Sequence, residues 1–372
     1  MTLIQDKLLH RLSQPTFLER AGAWFLDSGI QESTGGVARF YRVDLRENRP
    51  ISTEITGYGI SMLLFLHSQT GDRDYLESAL RAGRFLTRIA WDPVSCAFPF
   101  EYGVRDPETK PLAYFFDCGI IARGLLQLWR STEDEEFLNA AIECGRGMLT
   151  DFPSHDAGVE PILGLPEKTP LPRGESWSRQ PGCYQLKSAL AWLELHATTG
   201  ENVFLAAYNR MVGAALAHHK RFLPGTDQAL TMDRLHAYCY FLEGLLPRAS
   251  EPRCADAIRT GIDDVSEHLR ETEHLFARSD VYAQLLRLRL FAEGLGVQPV
   301  DRLFAEQEAQ TLDRFQIESS DWKTRGGFYF GRRNGKMIPH VNPVSTGFAI
   351  QALTLWKRYR SGETPSSVQT VI

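Results

Sequence analysis

The chain has 372 residues, 43% apolar and 23% charged, which is enough to bury a large core and excludes disorder over its whole length. A formal net charge of −5 gives no overall attraction to nucleic acid or to an anionic membrane, and neither partner is expected. Six cysteines are scattered without a CxxC pair, with Cys118, Cys144 and Cys239 at helical apolar positions; they read as reduced core residues of a cytoplasmic protein, not as metal ligands.

The opening residues MTLIQDKLLHRLSQ carry charges throughout and lack the apolar core of a signal peptide. No later run reaches the roughly 18 apolar residues of a spanning helix. The stretch PTFLERAGAWFLD (15–27) reads as a short outer helix. From Gly57, GYGISMLLFLHSQ is apolar nearly all round, a pattern that a helix tolerates only when neighbours cover it. After a tight turn, TGDRDYLESALRAGRFL (70–86) instead gathers Tyr75, Leu76, Ala79, Ala82 and Phe85 on one stripe, with charge elsewhere, as a surface helix does. The same pair of patterns recurs. CGIIARGLLQLW precedes TEDEEFLNAAIECGRGML, and CYQLKSALAWLELHA precedes TGENVFLAAYNRMVGAAL. LHAYCYFLEGLL precedes RCADAIRTGIDDVSEHL, and VYAQLLRLRLFAEGL precedes PVDRLFAEQEAQTLDRF. A last all-apolar helix, STGFAIQALTLWKRY, takes the N-terminal stretch as its outer partner, giving six inner and six outer helices.

Connection lengths separate the two ends. Inner-to-outer turns, near 69–73, 131–135, 198–202, 247–252 and 295–299, are short, whereas the outer-to-inner connections, near 29–52, 91–112, 151–182, 220–231, 272–279 and 316–342, are mostly long. Long loops on one face of a rigid scaffold commonly build a site. Small strand pairs fit within them, for instance GGFYF and KMIPHV around the turn GRRNGK. No linker divides the chain, so residues 1–362 read as one domain and 363–372 as a flexible tail.

With this hairpin rhythm across residues 16–361, the sequence resembles the six-hairpin superfamily of (α/α)6 barrels, which includes glycoside hydrolases, sugar epimerases and some uronate-processing enzymes. The resemblance implies an all-α (α/α)6 toroid and a sugar or oligosaccharide as partner. Other toroids fit less well: the DxDD cluster of squalene-type cyclases is absent, and the zinc arrangement of protein prenyltransferases has no counterpart.

In such a barrel all six inner N-termini point to the long-loop face, so the residues that open them should surround one cavity. Glu54 and Tyr58, Asp117, Tyr184, His236, Asp280 and Tyr282, and His340 with Asn342 occupy those positions, and Trp177, Arg325 and Tyr329 sit in the adjoining loops. Asp117 and Asp280 also suit helix N-caps, and His236 also suits a satisfied core histidine. Several of the loop aromatics also suit anchors that pin the loops to the barrel.

A glycosidase needs a carboxylic acid to protonate the leaving oxygen and a carboxylate to activate water or attack carbon. Glu54, Asp117 and Asp280, with His236, are the catalytic candidates; Tyr58, Trp177, Tyr184, Tyr282, Arg325, Tyr329, His340 and Asn342 are the substrate-binding candidates. The inner-helix N-termini and the loop arginines favour an acidic sugar. Epimerisation or lyase chemistry by proton abstraction at tyrosine or histidine is the alternative, and a noncatalytic glycan- or protein-binding toroid is a third. Neither catalytic route requires a cofactor. No metal site is expected either, since the adjacent His218 and His219 point in different directions.

Overall fold

The computed structural model describes residues 15–103, 110–152, 154–155, 158–174, 176–223, 228–365, 367–368 and 371–372. Among them, twelve α-helices alternate between an outer and an inner ring. The outer helices are α1 (Phe17–Asp27), α3 (Arg73–Phe85), α5 (Glu135–Thr150), α7 (Asn202–His218), α9 (Pro252–Thr272) and α11 (Arg302–Asp313). The inner helices are α2 (Thr53–Thr70), α4 (Phe115–Thr132), α6 (Leu186–Thr199), α8 (Gln228–Leu245), α10 (Ser279–Gly294) and α12 (Pro343–Arg360). Each inner helix packs on the next, and α12 returns to α2, which closes the ring. The all-α toroid expected from the hairpin rhythm is therefore present. None of the described helices is long and apolar enough to cross a membrane.

Local chemistry sets the short turns. Ser52 caps α2 by accepting from the amide of Ile55, and Gly71, at φ 71°, ends it in the left-handed conformation that lets the chain reverse. Asp72 then caps α3 through the amide of Asp74. Close approach of the inner helices needs missing side chains: a Cβ on Gly119 would stand 2.4 Å from the carbonyl oxygen of Ser188, and one on Gly124 2.6 Å from that of Gly57.

Short antiparallel pairs stitch successive long loops into a rim. Ile51–Ser52 pairs with Glu101–Tyr102, and Leu112–Tyr114 with Ile162–Gly164. Phe276–Arg278 pairs with Gly331–Arg333, and His340–Val341 with Tyr41–Arg42. This rim explains the change of character within 325–359: the polar loop pairs with its neighbours over the barrel mouth, then enters α12, most of which is buried.

The tail departs from the expected flexible segment. Val371 and Ile372 are only 1% and 3% exposed. Arg123 donates to the Val371 carbonyl at 2.8 Å and Lys187 to that of Ile372 at 2.7 Å. Two apolar side chains and two hydrogen-bonded carbonyls outweigh the ordering entropy of so short a piece.

Candidate active site

The long-loop face opens into a cavity of about 290 Å³ lined by residues from all six hairpins. Seven of the expected residues line it: Glu54, Asp117, Trp177, Tyr184, His236, Asp280 and Asn342. In the ring, α4 faces α10 and α2 faces α8, so Asp117 stands opposite Asp280, and Glu54 opposite His236.

Glu54 and Asp117 occupy the first turns of neighbouring inner helices. Burial raises the Glu54 carboxyl to about 7, against a smaller opposing pull from the Arg39 guanidinium. Burial, followed by the nearby Glu54 charge, pushes Asp117 well above the usual carboxylate range. One Asp117 oxygen, Oδ2, is buried without a hydrogen-bond partner. Asp117 does not cap its helix, since Tyr114 holds that position with no side-chain cap bond. A carboxyl that lines a cavity and whose burial favours its protonated form is placed to give up a proton.

The opposite wall is arranged differently. Asp280 is held ionised, below its ordinary value, because the attraction of Arg278 and His236 and the hydrogen bonds of Arg278 outweigh burial. Arg278 grips it in a fork, Nε to Oδ1 at 3.0 Å and a terminal nitrogen to Oδ2 at 2.6 Å, and reaches Asp233 at 2.6 Å. Asp280 lies inside α10 and is not its cap. His236, 6% exposed, is depressed to about 4 by burial and by Arg278, and is neutral at pH 7. Its Nδ1 is 2.8 Å from Gln284 Oε1 and 3.4 Å from Asp280 Oδ2. Both partners are acceptors, so Nδ1 carries the proton and Nε2 keeps a lone pair.

Aromatic rings shape the space between the walls. Trp177 sits edge-on to Tyr184 at 4.9 Å and lies 6.3 Å from His236. Phe100 packs against Tyr114 at 5.0 Å, and the Arg39 guanidinium lies over Phe100 at 5.1 Å. Tyr240, one turn beyond His236, lines the cavity as well. Asn342 both lines the cavity and caps α12, accepting from the amides of Val344 and Ser345.

Five of the expected binding residues stand outside the cavity. Tyr58 is 1% exposed and packs edge-on to Phe348 at 5.5 Å, inside the ring. Tyr282 turns away to hydrogen-bond the Glu273 carboxylate. His340 stacks on Phe40 at 4.4 Å, and Tyr329 bridges to Val341; both belong to the rim. Arg325 lines a separate depression with Trp24 and Trp322 beside α1. Tyr58 lies one turn deeper than Glu54 on the same face of α2, helical phase turns Tyr282 away, and rim pairing holds His340 and Tyr329.

Arg39 was missed as a cavity residue. It lies in GGVARFYR, exposed directly after the buried Val37 and Ala38 and next to a bridge between Ala38 and Ile51, and no periodic pattern in the sequence marks it. Arg39 has one carboxylate contact, to Glu101 at 3.1 Å, whereas Arg278 has two aspartates. Among the described residues no group of three or more potential ligands is arranged to hold a metal ion.

No protein-family model matches the sequence, and no curated protein matches it. Solved structures do match. A sugar epimerase from a ruminal bacterium superposes with a TM-score of 0.68 at 9% identity, over 95% of this chain and 99% of that one. Cellobiose 2-epimerase from Spirochaeta thermophila DSM 6192 gives 0.65 at 15% identity, over 95% and 99%. The unsaturated glucuronyl hydrolase of Bacillus sp. GL1, responsible for the degradation of glycosaminoglycan, gives 0.61 at 14% identity, over 92% and 97%. At such identities the likeness is one of architecture: the chain has the (α/α)6 fold found among these sugar epimerases and glycoside hydrolases.

Proposed function

We propose that the protein is a carbohydrate-active enzyme that hydrolyses a glycosidic bond, with Asp117 as general acid. The observation that carries this reading is the pair formed by half-buried Glu54 and buried Asp117 on the cavity wall, whose environment keeps a proton available near neutral pH while Asp280, across the cavity, stays ionised. Carboxyl groups driven apart in this way divide acid from base roles. Asp117 gives its proton to the leaving oxygen, and Glu54 shares the remaining charge of the pair. Nε2 of His236 accepts the proton of an attacking water, and Asp280, held by Arg278, steadies the imidazolium that forms. Trp177 and Phe100 offer faces for a sugar ring, and Arg39 offers a guanidinium for a substrate carboxylate.

One observation favours a second reading, epimerisation. A neutral histidine with its lone pair toward the cavity is also suited to taking a proton from carbon. A product-resolved screen of neutral and uronate-containing glycans in deuterated water separates the two. Hydrolysis yields new reducing ends and loses its rate in D117N. Epimerisation yields a stereoisomer with deuterium on carbon and loses its rate in H236Q. A wild type that does neither across the panel overturns the enzyme reading.

A further inference from the structure

Beyond the cavity, the rim carries charge and aromatic surface that the chemistry above does not use. The strand Gly331–Arg333 starts opposite Arg278, which lines the cavity, and runs outward to a turn at Asn334 and Gly335, both at positive φ. Beside it, the hairpin formed by Tyr41–Arg42 and Glu47–Asn48 pairs with His340–Val341 and turns at Arg46, also at positive φ. The segment 331–337 holds three cations, Arg332, Arg333 and Lys336, and no acid, in a chain whose net charge is −5. Arg42 and Arg49 pair with Asp44 and Glu47, but Arg46, Arg332, Arg333 and Lys336 form no ion pair with any described carboxylate. Arg46, Arg333 and Lys336 are exposed.

A run of rings connects this corner to the cavity. Arg39, in the cavity wall, lies 6.0 Å from the Phe40 ring, Phe40 stacks on His340 at 4.4 Å, and Phe330 follows at 6.4 Å from His340. Phe40, His340 and Phe330 are half-buried, so each keeps an open edge or face. Rings at this spacing, flanked by unpaired cations, match a chain of sugar rings bearing carboxylates or sulfates.

We propose that the two hairpins and the Phe40–His340–Phe330 run form an extended binding surface for the unreacted part of an acidic oligosaccharide whose end enters the cavity. The proposal rests on the reading that the cavity takes a sugar. A polyanionic glycan fits better than an anionic membrane. The exposed apolar residues at this corner, Leu45 and Met337, are isolated single side chains, too little surface to insert into lipid, whereas the ring run is continuous with the cavity.

The test is equilibrium binding, read by titration calorimetry without turnover. The probes are hexagalacturonate, hexamannuronate and a heparin hexasaccharide, each beside its disaccharide and beside neutral maltohexaose. Wild type is expected to bind at least one acidic hexasaccharide more tightly than its disaccharide and than maltohexaose, with affinity that falls as salt rises. R46S/R333S/K336S is expected to bind that hexasaccharide about tenfold more weakly, a loss of about 1.4 kcal/mol. R73S/R253S/R302S, which removes as many cations from the opposite end of the barrel, is expected to bind as wild type does. Equal affinity for hexamer and dimer, no binding of any polyanion, or an undiminished affinity in the first triple variant overturns the proposal. So does a phosphatidylglycerol vesicle that binds wild type and not that variant while the oligosaccharides do not bind. Failure of the hydrolytic reading shows separately, as tight binding with no product.

Discussion

Two layers of buried charge lie inside the same barrel, about two helical turns apart on shared helices. The upper layer holds Glu54, Asp117, His236 and Asp280. The lower holds Arg123, Lys187, Glu243 and Arg287, with Glu194 beside Arg123. In the lower layer every cation has a carboxylate in contact, three cations to two acids: Lys187 stands 2.9 Å and Arg287 2.5 Å from the Glu243 carboxylate, Arg123 is 2.8 Å from Glu194, and Gln351 accepts from Arg287 at 2.8 Å, although Glu243 Oε2 and Arg287 Nε lack hydrogen bonds and burial lowers Lys187 to about 7. In the upper layer one wall is matched, through Arg278 and Asp280, and the other is not, with Asp117 left without a partner on one oxygen. Burial alone therefore does not distinguish a site from a strut. A carboxyl that lines a cavity with no cation in contact is a candidate for proton transfer, because nothing beside it holds it ionised.

The largest expected effect tests the unmatched wall. D117N keeps the shape and the neutrality of the group while removing its acid. Turnover of any glycan that the wild type hydrolyses should fall by about 10²- to 10⁴-fold, with little change in melting temperature. The same kind of change in the matched layer should do the reverse. E243A strands Lys187 and Arg287 in the interior and should lower unfolding stability by about 3–5 kcal/mol in denaturant titrations, with the turnover of the surviving folded protein retained. Loss of activity in folded E243A, or unfolding of D117N, would erase the distinction.

The pH dependence sharpens it. Glu54 titrates near 7 in the folded protein, against an ordinary value of 4.5, and its charge above that pH strengthens the hold of Asp117 on its own proton, so hydrolysis should persist as the pH rises through about 7 and fall only where Asp117 ionises. The same elevation makes the folded state less stable as pH rises from about 4.5 to 7, because the unfolded chain ionises first. E54Q removes that charge and should move the alkaline limb, set by Asp117, to lower pH, while gaining about 1–2 kcal/mol of stability above pH 7. His236 has the opposite sign: depressed to about 4, it takes stability away as pH falls from 6.5 toward 4.

R39S is a smaller perturbation. Arg39 pulls both Glu54 and Asp117 down, so its removal should move the alkaline limb of the rate profile to higher pH and raise KM for carboxylated substrates more than for neutral ones. An unmoved limb would show that Arg39 does not act on the pair. R325A should leave turnover unchanged and stability within about 0.5 kcal/mol, since Arg325 lies in a depression beside α1, away from the cavity.

Amino-acid order by itself determined the barrel. Whether a helix is apolar on one stripe or all round depends on residue spacing at 3.6 per turn, and loop length is counted directly, so inner and outer helices and the site-bearing end were all legible in the sequence. It also placed Glu54, Asp117 and Asp280 in the first turns of inner helices, whereas His236, expected at such a start, stands two turns inside α8 (Gln228–Leu245) and lines the same cavity because that helix begins earlier. Only the tertiary structure decided what those groups are. Glu54 and Asp117 differ from Asp280 because burial in the closed ring raises the first two, whereas Arg278, two residues before Asp280, folds back on it and, with His236 from another helix, holds it ionised. Tyr58 and Tyr282 sit near helix starts as the lining residues do, yet Tyr58 is packed one turn too deep and helical phase turns Tyr282 aside from the cavity. Arg39 enters it because a bridge between Ala38 and Ile51 lays its strand over the mouth. Val371 and Ile372 read as loose tail until the buried Arg123 and Lys187 supply partners for their carbonyls. Periodicity is a property of the chain alone, whereas solvation, charge pairing and the direction of a side chain belong to the space between its segments, which exists only once the ring has closed.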